Sequence, residues 1–290
     1  MYLEEQVTLT AKQQSEVIRL LTAIHQADQS FRDPYLSNQF NYFPDMPTFI
    51  LAYEKSMLIG FTMLYADGEV NEPIDLYLNV LPKFRNQGIA TLMLEHAQQI
   101  LSSFGYHKIE YVSEKSFLQR NPNFLAKTAL TIGESEYQMR CLAMPRDTQK
   151  LKTDVDLNVR KMQASDADRL IALQSEAFAI PEDESKTYID ESFNDVSTLT
   201  FVLEYKSEVI GYCAIDNGQD YYFFGLVVDA KFRNHGYGTF FIKTIMQILE
   251  LQQHKAFVLG VEKDNLAALH AYKNAGFYVE TEIVYLVSKG

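Results

Sequence analysis

Ala230-Lys231-Phe232-Arg233-Asn234-His235-Gly236-Tyr237-Gly238-Thr239 repeats an earlier stretch of the same chain, Pro82-Lys83-Phe84-Arg85-Asn86-Gln87-Gly88-Ile89-Ala90-Thr91. Arg85 and Arg233 lie 148 residues apart, close to half of the 290-residue chain. Upstream, Phe49–Tyr53 followed by Leu58-Ile59-Gly60 matches Phe201–Tyr205 followed by Val209-Ile210-Gly211, at offsets of 152 and 151. Two collinear matches at nearly one offset read as two copies of one domain. The expected division is residues 1–145 for the first copy, a linker over 146–156, and 157–290 for the second. The linker is placed there because Met144–Lys150 is polar, contains Pro145 and lacks periodicity.

Each copy alternates strand and helix patterns. In the second, Thr200–Glu204 and Val209–Ile215 are apolar runs joined by the hairpin signal Tyr205-Lys206-Ser207-Glu208. Tyr221–Val228 is apolar on both faces, which predicts a central strand. A helix from Gly236 carries Phe241, Ile245, Ile248 and Leu249 at helical spacing. A buried strand at Ala256–Val261, a helix at Asn265–Asn274 and a final strand at Phe277–Val287 follow. The pattern predicts an α/β fold with a mixed sheet.

The repeated loop sits between a buried strand and an amphipathic helix. Glycines there remove side chains, so backbone N–H groups can converge on an anion at the helix N-terminus, and the arginine adds positive charge. The loop is neither a P-loop, which needs Gly-Lys-Ser/Thr, nor a Rossmann Gly-x-Gly-x-x-Gly. Its recurrence in one strand–loop–helix context favours a pyrophosphate site over a mere tight turn.

Charge and composition narrow the rest. Lys and Arg number 26 against 38 Asp and Glu, a formal charge of −12 that argues against gripping nucleic acid. The longest apolar run, Tyr221–Val228, is far shorter than the roughly 20 residues of a membrane span, and Met1–Glu5 carries no signal-peptide pattern. Cys141 and Cys213 stand apart with no CxxC, so both read as buried small apolar residues. The six histidines show no paired ligand spacing, and no metal is expected. A soluble, reduced, cytoplasmic protein is expected.

With Arg-x-x-Gly-x-(Gly/Ala) present twice, the chain resembles a tandem member of the GNAT superfamily of N-acetyltransferases over nearly its whole length. The resemblance implies two GNAT-like domains, each a mixed, mostly antiparallel sheet flanked by helices. It implies acetyl-CoA as cosubstrate, its pyrophosphate held by Arg233, His235, Gly236, Gly238 and Thr239. Backbone groups of Leu226 and Val228 would pair with pantetheine. In the first copy the matching loop residues are Arg85, Gly88 and Ala90.

A second signature appears in one copy only. Asn265-Leu266-Ala267-Ala268-Leu269-His270-Ala271-Tyr272-Lys273-Asn274-Ala275-Gly276-Phe277 is similar to the family's Asn-x-x-Ala-x-x-x-Tyr-x-x-x-Gly-Phe segment. Asn265 and Tyr272 share one helix stripe, and the resemblance puts Asn265 beside the cofactor and Tyr272 as general acid to the departing thiolate. In the first copy Leu118, Leu125 and Ala129 fall opposite Asn265, Tyr272 and Gly276, so that copy lacks the acid and is expected to be catalytically degenerate with its CoA loop retained. The base is sought among Glu262, Asp220 and Glu204, with Tyr221 as a relay. Acids crowd Glu176–Asp195 around a single Lys186, a wall that would attract a cationic amine. The first-copy counterpart instead clusters Phe31, Tyr35, Phe40, Tyr42, Phe43 and Phe49 around three prolines, as a packed lid or an interdomain surface.

The expected activity is direct acetyl transfer to a primary amine of a small molecule or peptide in a ternary complex, catalysed by the second domain. Two alternatives stay open: a CoA-responsive binding or regulatory protein, and an acyltransferase with another acyl-CoA or an O-acceptor. A second copy of the chain, as a homodimer, is the other partner considered; nucleic acid and membrane are not.

Overall fold

The computed structural model describes residues 1–142 and 156–289. The expected linker at 146–156 lies, apart from Asp156, outside the described residues. Two compact units emerge: unit 1 is Met1–Glu136 with Thr281–Gly290, and unit 2 is Tyr137–Glu280. No helix among the described residues is long and apolar enough to cross a membrane.

In unit 1, β1 (Tyr2–Gln6), β2 (Phe49–Glu54), β3 (Met57–Tyr65) and β4 (Ile74–Val80) pair antiparallel in that order, and β5 (Ile109–Glu114) runs parallel to β4. Helix α1 (Ala11–Asp28) starts at a capping box of Thr10 and Gln13, which satisfies two backbone groups reciprocally. It stops where Gln29 takes a left-handed conformation, φ 53°. Helix α2 (Ile89–Ser103) follows the glycine loop, burying Met93, Ala97 and Leu101. After β5 the chain makes only short helices, α3 (Lys115–Arg120) and α4 (Phe124–Thr128), before β6 (Leu130–Cys141).

Unit 2 repeats this plan with β7 (Leu157–Lys161), α5 (Ala167–Phe178), α6 (Glu182–Asn194), β8 (Thr198–Tyr205), β9 (Glu208–Asn217) and β10 (Tyr221–Val228). Strands β7 to β10 are antiparallel neighbours in chain order. Helix α7 (Tyr237–Glu250) leads to β11 (Phe257–Glu262), parallel to β10, then α8 (Leu266–Ala275) and β12 (Tyr278–Ser288). The core of unit 2 packs α7 and α8 on the sheet through Phe241, Ile245, Leu249, Phe257 and Tyr272. Both cysteines are buried, free thiols.

The last strand departs from the sequence expectation. β12 was expected to end the second copy, yet residues from Thr281 onward group with unit 1. There Ile283–Leu286 pair antiparallel with Glu114–Tyr111 of β5, and Thr281 donates its hydroxyl to the buried Glu114 at 2.6 Å. Glu114 lies 167 positions from Thr281, so no local pattern specifies this pairing.

Candidate active site

The parallel pair at the centre of each unit positions the site. In unit 2, β10 and β11 are in register at Tyr221↔Phe257, Tyr222↔Val258 and Phe223↔Leu259, after which the strands part. On its other side β10 shifts register against β9 between Phe224 and Val227, a bulge at Gly225, whose φ of 59° suits glycine. The copies are offset by 147 residues at the first rung (Ile74 and Tyr221) and by 148 at the strand ends (Val80 and Val228). The one extra residue is the bulge. In unit 1, β4 runs against β3 from Tyr65↔Asp75 to Gly60↔Val80 without a shift. Leu226 and Val228 lie on the parted stretch of β10, as the resemblance implies, although the Val228 carbonyl already accepts the Arg233 Nε at 2.9 Å.

The two glycine loops share one backbone. Arg85 and Arg233 have φ/ψ of −70°/160° and −71°/161°, Asn86 and Asn234 have φ of 59° and 64°, and Gly88 and Gly236 have φ of 81° and 80°. Neither Gly88 nor Gly236 caps its helix with a side chain. The first helical bonds are Leu92 N–H to Gly88 O and Phe240 N–H to Gly236 O, both 3.0 Å. The amides of Ile89, Ala90 and Thr91, and of Gly238 and Thr239, precede the first helical bonds and so have no partner within their helices. A Cβ added at either glycine would meet nothing within 4 Å, so the space beside each glycine at the helix start is open. Such a cradle fits a pyrophosphate at a helix N-terminus.

The side chains around the loops differ. Arg233 is exposed and makes no ion pair among the described residues. His235 hydrogen-bonds the Arg233 carbonyl through Nδ1 at 2.8 Å and stacks near Tyr237. The Thr239 hydroxyl reaches the Ala271 carbonyl at 3.4 Å, tying α7 to α8. Arg85 makes the same strand-end bond as Arg233, Nε to the Val80 carbonyl at 2.9 Å, but its two terminal nitrogens grip Asp28 at 2.8 and 2.6 Å. The Phe117 ring lies 5.8 Å from its guanidinium carbon.

Tyr272 stands on α8 with its ring buried and its hydroxyl without a hydrogen bond among the described residues. Burial, and then the neighbouring Cys213 and Tyr222, push its ionisation well above the ordinary tyrosine value. It therefore stays a proton donor at any physiological pH. Cys213, wholly buried on β9 beneath the bulge, points its thiol toward the Phe224 carbonyl at 3.8 Å. Asn265 is the N-cap of α8, its side chain accepting the Ala268 N–H at 3.1 Å. That bond sets the start of the helix that carries Tyr272.

The candidate bases separate. Glu262 ends β11 exposed, on the side where β10 and β11 part. Asp220 is not brought to this cleft: it is eight residues before Val228 and so roughly 26 Å away along an extended strand, and it pairs with Arg140 at 2.6 Å. Tyr221 is buried there, stacked on Phe257, its hydroxyl at 3.5 Å from the Leu249 carbonyl. Glu204 is held by Arg160 at 2.9 Å and by Asn158 at 2.8 Å. The acidic stretch is also spent locally. Glu182, Asp183 and Glu184 fill the first turn of α6, where the helix dipole favours them. Asp190 pairs with Lys186, and Asp195 accepts hydroxyls of Ser197 and Thr198, both at 2.6 Å.

Unit 1 closes over the matching place. Glu114, which ends β5 as Glu262 ends β11, is buried and accepts the N–H groups of Phe31 and Arg32 at 2.8 and 2.9 Å. The aromatic segment packs within the same unit, Tyr35 on Phe40, while Phe43 packs on Phe104 and Tyr106 at 5.4 and 5.9 Å, past the end of α2 that lies away from the glycine loop. Leu125, opposite Tyr272, lies among apolar residues with Leu130 and Val284. The sequence patterns point to neither Asp28 nor the bulge at Gly225; a change of offset within one strand, from 147 before the bulge to 148 after it, is the signal of the latter.

A mixed sheet with a splayed parallel pair over an uncapped glycine loop defines an acyltransferase class, present here in duplicate. The model of the Acetyltransferase (GNAT) family matches residues 15–127 and 167–277, and the chain belongs to that family. No curated protein matches its sequence significantly. Among solved structures, it is similar to a GCN5-related N-acetyltransferase from Sphaerobacter thermophilus (TM-score 0.71, 12% identity, 98% of this chain and 94% of that one). It is similar also to a tandem GNAT protein from the clavulanic acid biosynthesis pathway (0.68, 14%, 100% and 99%). A GNAT-family acetyltransferase from Colwellia psychrerythraea is a third (0.63, 15%, 100% of each chain). At such identities the likeness is one of fold.

Proposed function

We propose that unit 2 is an acetyl-CoA-dependent N-acetyltransferase acting on a primary amine, and that unit 1 does not catalyse. The observation that carries this reading is the bulge at Gly225, present in β10 and absent from β4, beside the parting of β10 from β11 and next to the exposed Arg233. Arg233 and the amides of Gly238 and Thr239 hold the coenzyme's pyrophosphate. Backbone groups of Leu226 and Val228 align its pantetheine, and a thioester supplies the acetyl group.

Glu262, through water, takes a proton from the acceptor ammonium, freeing the nitrogen lone pair to form the new C–N bond. As the C–S bond breaks, Tyr272 gives its hydroxyl proton to the departing sulfur and recovers one as the new amide nitrogen sheds its second proton, while the proton taken by Glu262 passes to solvent. General-acid and general-base help of this kind contributes typically about 10²–10⁴-fold each. Because Asp190 pairs with Lys186 and three further acids of α6 sit in its first turn, the reading is limited to an amine and does not require a polycation.

The test is release of free thiol from acetyl-CoA in the presence of an amine library. Turnover that is lost in Tyr272→Phe supports the reading. Acetyl-CoA binding with no turnover on any amine favours a CoA-responsive regulatory protein instead.

A further inference from the structure

We infer that the chain holds one coenzyme, in unit 2, and that Asp28 acts as an internal anion closing the loop of unit 1. The inference rests on the reading of the unit 2 loop as a coenzyme site. Arg85 and Arg233 leave the same backbone conformation and anchor the same Nε to the last carbonyl of the preceding strand, Val80 or Val228, at 2.9 Å. That shared bond leaves each guanidinium two terminal nitrogens. In unit 1 both are taken, bidentate, by the two oxygens of one carboxylate. Bidentate arginine–carboxylate and arginine–phosphate contacts use the same fork, so the two partners compete for it.

Displacing Asp28 is costly. Its residue is only 6% exposed, and a buried carboxylate stripped of its cation retains the desolvation penalty without the attraction. A phosphate approaching the amides of Ile89, Ala90 and Thr91 also meets Asp28 as a like charge. Phe117 covers the guanidinium from another side.

Unit 2 has a different residue at the same place. Helix α1 ends at Asp28, followed by the left-handed Gln29, and α5 ends at Phe178, followed by the left-handed Ala179, with φ of 53° and 56°. Phe178 is 47% exposed and carries no charge. One side chain at the end of the first long helix thus decides whether the arginine of the loop is available to a ligand.

Native mass spectrometry of the full chain with CoA counts the molecules bound. One CoA is expected for wild type, lost in Arg233→Ala and kept in Arg85→Ala. Asp28→Asn keeps the shape and removes the charge, and is expected to admit a second CoA. The reciprocal change Phe178→Asp, at an exposed position, is expected to weaken CoA binding about tenfold or more, with Phe178→Asn as neutral control. Two CoA in wild type, or one in Asp28→Asn together with unchanged affinity in Phe178→Asp, overturns the inference while leaving unit 2 as a coenzyme site. A wild-type chain that binds none overturns both.

Discussion

Unit 1 and unit 2 present the same loop backbone to solvent, within a few degrees at Arg85/Arg233, Asn86/Asn234 and Gly88/Gly236, yet the charge at the loop is spent in one and free in the other. The same divergence recurs at three more places. β4 is unbroken where β10 bulges, Glu114 is buried under amides where Glu262 is exposed, and short α3 and α4 replace the continuous α8 that carries Tyr272. The duplicated fold keeps its strand order and loop backbone, and the differences in side chain and backbone gather around the cleft.

The strongest way to break this comparison is at the proton donor. Tyr272→Phe is expected to lower kcat by about 10²-fold or more while leaving CoA affinity unchanged, as steady-state kinetics and calorimetry together will show. Leu125→Tyr in unit 1 is expected to add no turnover, since β4 lacks the bulge. Because burial raises the ionisation of Tyr272, its proton is retained at alkaline pH. The basic limb of the kcat profile is therefore not expected to report this residue below about pH 10.

Next comes the arginine pair, read as stability. Arg85→Ala strands a largely buried Asp28, and chemical denaturation is expected to show a loss of about 2 kcal/mol. Arg233→Ala removes an exposed, unpaired side chain and is expected to change stability by less than about 0.5 kcal/mol. Equal effects of the two substitutions would erase the distinction drawn between the loops.

A smaller effect separates the helix ends. Ala129 and Gly276 both terminate the helices before the final strands in the left-handed region, at φ of 55° and 104°. Alanine pays about 1 kcal/mol there that glycine does not. Ala129→Gly is expected to raise the melting temperature by a few degrees, and Gly276→Ala to lower it.

The smallest expected effect depends on pH. Burial, then the charges of Asp67 and Glu110, raise Asp75 on β4 to about 7, with Glu136 adding to the shift and Arg32 opposing it. A carboxyl whose folded value lies above its unfolded one stabilises the fold when protonated, and that contribution is lost as pH rises from about 4 through about 7. Asp75→Asn is therefore expected to melt above wild type at pH 8 and close to it at pH 4. Unit 2 carries Tyr222 on the equivalent rung, paired with Val258, and no such dependence is expected from it.

Much of this was legible in the chain. The repeat, the strand–loop–helix order, the glycine loops, the hairpin at Lys206-Ser207 and the Asn265–Phe277 segment are local patterns, and local patterns survive without knowledge of the fold. The bulge showed only as a one-residue change of offset, too small to assign before the pairing partners of β10 were known. Asp220 and Tyr221 looked suitable because they adjoin the central strand, but a strand has two ends, and they occupy the one away from the loop. The acids from Glu176 to Asp195 read as a charged wall, but three sit in the first turn of α6, Asp190 pairs with Lys186, and Asp195 binds Ser197 and Thr198.

By itself, then, the sequence determined two α/β copies, their anion-binding loops, and a tyrosine in the second copy alone, because each depends on residues close together in the chain. Tertiary structure alone decided which arginine is free, which strand end holds the cleft, and that Thr281 onward completes unit 1. Asp28 and Arg85 are 57 positions apart, and Thr281 and Glu114 are 167 apart. Contacts of that span are chosen by packing and desolvation, and no local pattern encodes them.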